Sequence, residues 1–425
     1  MGGKIERIEL FHVEVPLPTP FYPVWIPGYP QHRQCSTLLA VTTRDGLVGY
    51  ATGPAFARER ESLGDFIGQF LLGLDAYDVD LVRERLRQAS FLGWRNSWMD
   101  IAFWDLAAKA RQLPLHRLLA ERLSATGPAP TTLPAYASFL ELRPARARAE
   151  ALERAQRLGF RAAKIPVHAQ DEAEDQAQLE LARSAVGPTF ELMAHAHQAW
   201  SVSLVKEVPR WDLPRAQRFV RLAESLGYRW VQEPLHDESW DELAELSAGS
   251  QIAIAGGDLS FNFVPLAALI RARCYSVLTP DASFAGLGTV LKTMAACHRH
   301  GLGFSPSAVS DGLDLLANLH ALAAWAQLRG EAESARLEYA WEPPAVIPEH
   351  RDALLTAPVE IGPDGRVTVP TGPGLGVELD PRALRRYATR FYHVTPVRFV
   401  VSSARRAGLK ETADLARPER ARIRR

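Results

Sequence analysis

From residue 133 to about residue 341 the chain repeats one pattern: a short apolar run ends in a polar residue and gives way to a longer amphipathic stretch. The run-ending residues are Lys164, His195, Glu233, Asp258, Asp281, Ser307 and Glu338, separated by 31, 38, 25, 23, 26 and 31 positions. Short apolar runs of this kind suit strands buried on both faces, and parallel neighbours need a crossover of about a dozen residues or more, usually a helix. Each interval holds one strand and one helix. The rhythm therefore predicts repeated β/α units closing into a parallel barrel, with the chemistry at the C-terminal strand ends.

The flanks differ. Residues 5–15, 37–43 and 47–51 read as strands of a small antiparallel sheet, with a turn at Asp45 and Gly46, and residues 96–113 show helical spacing before Pro114. Residues 358–392 return to turn-rich strands and one short helix, while residues 405–425 are arginine-rich with little apolar content and read as a solvated or loosely docked tail. A chain of 425 residues, 47% hydrophobic, buries a large core. Lys plus Arg and Asp plus Glu stand at 49 each, so no global field favours nucleic acid or an anionic membrane. Cys35, Cys274 and Cys297 are too few and too far apart for a disulfide framework, and no apolar run reaches membrane-spanning length. MGGKIERIEL has no apolar signal core, so a reduced, cytoplasmic location is expected.

The richest stretch is residues 191–200, ELMAHAHQAW. Alternation along a strand puts Glu191, Met193, His195 and His197 on one face, so two imidazoles leave the strand end together. The runs RWVQEP and IAIAGGD end on Glu233 and Asp258, giving three possible metal ligands on three successive strand ends, with His197 as a further donor. Lys164, Pro166 and His168 likewise share one strand face.

The segments AFWDLAAKARQLPLHRLL, GFRAAKIPV, WVQEPL, IAIAGGD, PDASFAGLGTVLK and TVPTGPGLGVELD, together with the order of strand ends, resemble the enolase superfamily in its mandelate racemase and muconate lactonizing branch. The resemblance implies an α/β fold: a modified (β/α)8-type barrel with an α+β cap domain built from both chain ends. The expected division is residues 1–132 as cap, 133–355 as barrel, and 356–425 completing the cap and carrying the basic tail. It also implies proton abstraction next to a carboxylate, with a divalent cation and nearby positive charge offsetting the enediolate. On this resemblance Glu233 and Asp258 match the second and third metal ligands, Lys164 the first lysine of a Lys-x-Lys pair, and Asp281 and Glu338 acidic positions at the sixth and eighth strands.

The departures are equally specific. The second lysine is Pro166, the seventh-strand histidine is Ser307, the first metal aspartate is His195 and the asparagine after it is His197. Pro166 serves equally as a strand end, and His168 is a candidate substitute base or a loop histidine. His195 reads as ligand or hydrogen-bonded strand end. Asp281 and Glu338 read as catalysts or as hydrogen-bond acceptors. The segment FYPVWIPGYPQHR, residues 21–33, reads as an aromatic lid over the pocket or as a proline-stiffened loop packed elsewhere, with Tyr22, Trp25, His32, Arg33 and Ser307 as substrate contacts. GWRNSW, residues 93–98, is a second candidate wall. A His-x-His pair also occurs in metal-dependent hydrolases, but there on the first strand, whereas here it lies on the third.

The expected activity is an acid-sugar dehydratase (hydro-lyase), or an isomerase of the mandelate racemase type. The rival is a family member that keeps the fold without the chemistry, binding a small acid or serving an assembly role. The expected cofactor is one divalent ion, with Mn, Fe or Zn favoured over Mg because an imidazole replaces a carboxylate, and no organic cofactor. The expected partners are a small carboxylate substrate and further copies of the chain in a homo-oligomer, with neither nucleic acid nor membrane.

Overall fold

The computed structural model describes residues 3–55, 71–90, 96–200, 205–401 and 404–405, with only the backbone of residues 88–90. Residues 93–95 of the second candidate wall and 406–425 of the basic tail lie outside the described residues.

Four strands form an antiparallel sheet in the order β13 (Ala388–Val394), β1 (Ile5–Phe21), β2 (Gln31–Thr43) and β3 (Val48–Gly53). The first and last described strands are thus neighbours, so this cap is built from both ends of the chain. The β2–β3 turn closes through Thr43, whose N–H donates to the Leu47 carbonyl at 2.9 Å, and Gly46 supplies the positive φ of 88° that the turn needs. Strands β1 and β2 run further than the sequence suggests, pairing Val15 with Gln34 and Pro16 with Arg33. Beyond Val13, β1 has no partner on its other side among the described residues, and Pro16, Pro18 and Pro20 fit such an edge because they need not donate there. The lid expected over residues 21–33 is therefore shortened to residues 22–30.

Eight parallel strands follow: β4 (Thr132–Ser138), β5 (Ala162–Pro166), β6 (Glu191–His195), β7 (Trp230–Gln232), β8 (Ala253–Gly256), β9 (Val277–Leu278), β10 (Gly303–Phe304) and β11 (Leu337–Ala340). They pair in chain order from β4 to β10, and β11 returns to the free side of β4, the neighbour order of an eight-stranded barrel. At the β10–β11 seam the Ser305 hydroxyl reaches the Arg336 carbonyl at 3.5 Å. β12 (Arg366–Thr368) pairs antiparallel with β4, so the C-terminal block is shared between the barrel and the cap sheet.

The intervening helices are amphipathic for the reason the rhythm predicts. Leu213–Ser225 buries Ala216, Phe219, Val220 and Ala223 against the barrel, and Asp212 caps it by accepting from the Arg215 N–H at 2.8 Å. Tyr136, Ala162, Met193, Trp230 and Ala255 fill the barrel interior. Gly312–Arg329 is buried almost all round, because one side faces the barrel and the other packs on the cap helix Leu115–Arg122. The cap helix Asp100–Ala110 joins the two parts directly: the Asp100 carboxylate accepts the Leu287 and Gly288 N–H groups at 2.8 and 2.9 Å, at the start of the barrel helix Leu287–His300. No described helix is long and apolar enough to cross a membrane.

Candidate active site and metal centre

Strand register brings the run-ending residues to one end of the barrel. Lys164 lies inside β5, and its ammonium sits 2.7 Å from Glu338 Oε1 at the start of β11 while donating to Gln232 Oε1 at 2.9 Å. Ser138 Oγ, on the strand between them, donates to the same Glu338 oxygen at 2.5 Å. Gln232 in turn donates from Nε2 to both oxygens of Asp258, at 2.8 and 2.6 Å, and the Thr279 hydroxyl donates to Asp258 Oδ1. The result is a buried belt running Ser138, Glu338, Lys164, Gln232, Asp258, Thr279 around the barrel mouth. Glu338 Oε2 is buried without a hydrogen-bond partner.

Beside this belt lie His195 and Glu233, with His195 Nε2 3.1 Å from Glu233 Oε2. One ligand atom from each of His195, Glu233 and Asp258 falls within 4.8 Å of the others, and all three residues are buried. Alternation would send consecutive residues to opposite faces, yet Gln232 and Glu233 both take part in this interior network. Glu233 breaks the strand by adopting a φ of 50°, and His197 leaves β6 with the same φ, stacking its ring on His195 at 3.4 Å between centroids. Left-handed conformations at non-glycine residues cost on the order of 1–3 kcal/mol each, so the surrounding structure is holding these two side chains in place.

The electrostatics favour a cation. Burial, then the charge of Asp258, pushes the Glu233 carboxyl well above the usual range, and burial pushes Asp258 up to about 6 against the pull of Lys164. Burial, then neighbouring imidazoles and Lys164, depresses His195, and burial with the charges of His168 and Lys164 does the same to His197, so both present neutral nitrogen donors. Neutral imidazole beside two close, charge-starved carboxylates is a donor set that fits a divalent ion.

His168 is 2% exposed and neither ring nitrogen makes a hydrogen bond of normal geometry. Its ring centroid is 5.9 Å from that of His197, and burial lowers its pKa to about 4, only partly offset by the nearby Val24 backbone. Val24 belongs to the shortened lid. Its N–H donates to the Leu140 carbonyl at 2.9 Å and the Tyr22 N–H donates to Glu141 at 2.8 Å, which fastens the lid to the rim after β4. Trp25 meets Phe21 at 6.0 Å and Trp200 at 6.5 Å, forming an aromatic cluster at the lid.

The remaining expected contacts separate. Ser307 is buried with an unpartnered hydroxyl. Asp281 caps the short helix Ala282–Ala285, accepting from Ser283 N and Oγ at 2.8 and 2.9 Å and from Asn318 at 3.2 Å. Burial, then the charge of Asp281, pushes the Asp314 carboxyl well above the usual carboxylate range. Tyr22, His32 and Arg33, expected as substrate contacts, are exposed. His32 and Arg33 belong to β2, and Arg33 pairs with Glu14 at 3.3 Å because the β1–β2 ladder continues through them. Gln232, Ser138, Thr279, Asp314 and Trp200 were not singled out from the sequence. For Gln232 the signal was there, since two polar residues in succession close the run WVQEP.

Residues 146–383 match the model of the family described as enolase C-terminal domain-like, and residues 7–120 match the mandelate racemase / muconate lactonizing enzyme N-terminal domain. The chain is 27% identical over 396 residues to a D-galactarolactone cycloisomerase of Agrobacterium fabrum, covering 90% of this chain and 98% of that one. It is 26% identical over 400 residues to an L-talarate/galactarate dehydratase of Salmonella typhimurium, covering 90% and 91%. The crystal structure of that dehydratase, liganded with Mg and L-lyxarohydroxamate, superposes with a TM-score of 0.77 at 25% identity, covering 93% of this chain and 95% of the other.

Proposed function

We propose that this chain, which belongs to the enolase superfamily in its mandelate racemase and muconate lactonizing enzyme branch, removes the proton next to the carboxylate of a small acid and acts as an acid-sugar dehydratase. The observation that carries this reading is the buried ammonium of Lys164 beside the three clustered donors His195, Glu233 and Asp258. The names of the dehydratase and cycloisomerase relatives support the reaction class.

In this reading Lys164 positions the substrate carboxylate, and His195, Glu233 and Asp258 hold a divalent ion, with His197 adjacent. When bound, that ion offsets negative charge developing on the substrate's carboxylate oxygens. His168 takes the α-proton: it is neutral, and neither of its ring nitrogens makes a hydrogen bond of normal geometry. The proton it gains is returned to the hydroxyl that leaves the β-carbon, so that water departs and the electron pair from the broken C–H bond becomes the new double bond. Glu338 Oε2, unpartnered and buried, accepts from a substrate hydroxyl, as does Ser307 just past the neighbouring strand β10. Asp281, tied to Ser283 and Asn318, orders the sixth strand end. Trp25 and Trp200 exclude water. The nitrogen donor favours Mn, Fe or Zn over Mg, although the solved dehydratase carries Mg.

The test is a panel of mono- and diacid sugars incubated with the metal-loaded chain, read by appearance of an α-keto product. Turnover that is abolished in His168→Gln and Lys164→Met supports the assignment; turnover indifferent to His168→Gln removes His168 as the base. A chain that binds small acids yet gives neither product nor α-proton exchange is the non-catalytic rival, which the replacement of two bases by Pro166 and Ser307 favours.

A further inference from the structure

The cap sheet carries a second group of donor atoms, away from the barrel mouth and unused by the chemistry above. The β1–β2 ladder sets Glu14 directly opposite Cys35, and alternation puts His12 on the same face two residues earlier. One ligand atom from each of His12, Glu14 and Cys35 lies within 4.8 Å of the others. His12 Nε2 is 3.4 Å from Glu14 Oε1. Two ligands bound at about 2.0–2.1 Å to one tetrahedral ion stand roughly 3.3–3.4 Å apart, so this spacing is already that of a coordination edge.

Two further observations point to a ligand. His12 is 6% exposed, and among the described residues the one ionic neighbour of its Nε2 is the loose contact with Glu14 at 3.4 Å. An imidazole buried on those terms is costly unless something else engages it. Cys35 is a free, exposed thiol, whereas Cys274 and Cys297 are buried. Arg33 reaches the same Glu14 oxygen at 3.3 Å, but its side chain is 60% exposed, so a cation entering the group displaces a contact that solvent already screens.

We propose that His12, Glu14 and Cys35 form a binding site for a zinc-class divalent cation, with three protein ligands and a fourth position open to solvent. A nitrogen, an oxygen and a sulfur donor select borderline-soft ions such as zinc or cobalt and reject magnesium, which keeps to oxygen ligands. The site spans the two strands that carry the lid: residues 22–30 leave the end of β1 and return into β2. Occupancy clamps the β1–β2 register at the base of that loop. This site is independent of the barrel function, because none of its ligands belongs to the barrel cluster.

Cobalt titration of the metal-stripped full-length chain tests it. The barrel cluster contains no sulfur, so a thiolate-to-cobalt charge-transfer band in the near ultraviolet reports Cys35 alone. The band is expected to saturate at one cobalt per chain, to be bleached by zinc and to be untouched by excess magnesium. Cys35→Ser is expected to abolish it, and His12→Ala or Glu14→Gln to weaken the affinity at least tenfold. Glu14→Gln changes a half-exposed strand residue and keeps the test valid should the buried His12 variant fold poorly. Zinc is also expected to slow alkylation of Cys35 at least tenfold. Absence of the band at saturating cobalt, or its survival in Cys35→Ser, overturns the proposal.

Discussion

Replacing Lys164 with methionine tests whether the belt at the barrel mouth is an electrostatic unit. The side chains of Lys164 and Glu338 are 4% and 1% exposed and 2.7 Å apart, so this is a buried ion pair. Removing one partner of such a pair costs about 3–5 kcal/mol, because the other charge stays buried. Here Glu338 would keep only the Ser138 hydroxyl on Oε1 and nothing on Oε2, and Gln232 Oε1 would lose its donor. Lys164→Met is therefore expected to cost about 4 kcal/mol. Glu338→Gln in the same background removes the stranded charge and is expected to recover about half of that, so the two single costs must be far from additive. The assay is urea unfolding of the four proteins of the cycle in the presence of chelator, followed by tryptophan fluorescence. A methionine variant that unfolds at the wild-type urea concentration, or two single costs that simply add, would refute the belt as a coupled unit.

Three further outcomes are expected. His195→Asp restores a third oxygen ligand and should shift metal preference toward magnesium, read by calorimetric titration of stripped protein; tight magnesium binding by the unaltered chain would count against a nitrogen ligand. Asp100, buried between cap and barrel, has its pKa raised from 3.8 to about 6 by burial, despite Arg83 and two backbone donors. The folded state thus binds this proton more tightly than the unfolded chain, so its contribution is full below pH 3.8 and is lost as pH rises through 6, about 3 kcal/mol for roughly two pKa units. Asp100→Asn should remove that slope, and a stability difference between the two proteins that is constant from pH 3.5 to pH 7 would contradict it. Finally, with proline at position 166 and serine at 307, paired bases on opposite substrate faces are lacking, so deuterium from solvent should enter one stereoisomer only, as mass spectrometry of both isomers would reveal.

The barrel was legible because its determinants are local. Each strand is a short apolar run and each helix an amphipathic one, and the spacing of Lys164, His195, Glu233, Asp258, Asp281, Ser307 and Glu338 follows from that alternation. The same logic found Glu233 and missed Gln232: two successive polar residues close WVQEP, but alternation sends them to opposite faces, and it is the backbone turn at φ 50° that lets both join the interior network. Asp314 was invisible for a different reason. It sits on a helix that is apolar and buried almost all round, and its pairing with Asp281, 33 positions earlier, is made by tertiary packing. The lid was misjudged at its far end, where His32 and Arg33 looked like pocket residues by their chemistry. Pairing of β2 with β1 claims them for the sheet, and strand pairing is a long-range fact.

The altered charge pattern has a consequence for substrate binding. Lys164 is the ammonium that a substrate carboxylate would seek, yet it is already shared between Glu338 at 2.7 Å and Gln232 at 2.9 Å. An incoming carboxylate must therefore compete with a buried carboxylate for one cation, and two like charges close together in a low-dielectric pocket repel strongly. Glu338→Gln lifts that competition while leaving a polar group that still accepts from Ser138. The variant is expected to bind a small, unreactive carboxylate such as succinate about tenfold more tightly than the wild type, a gain of about 1.4 kcal/mol, and Lys164→Met to bind it far more weakly. Calorimetry on the metal-free chain measures both. Weaker binding by Glu338→Gln would mean that Glu338 contacts the acid as a hydrogen-bond partner and holds Lys164 in position for it, and the competition argument would fall.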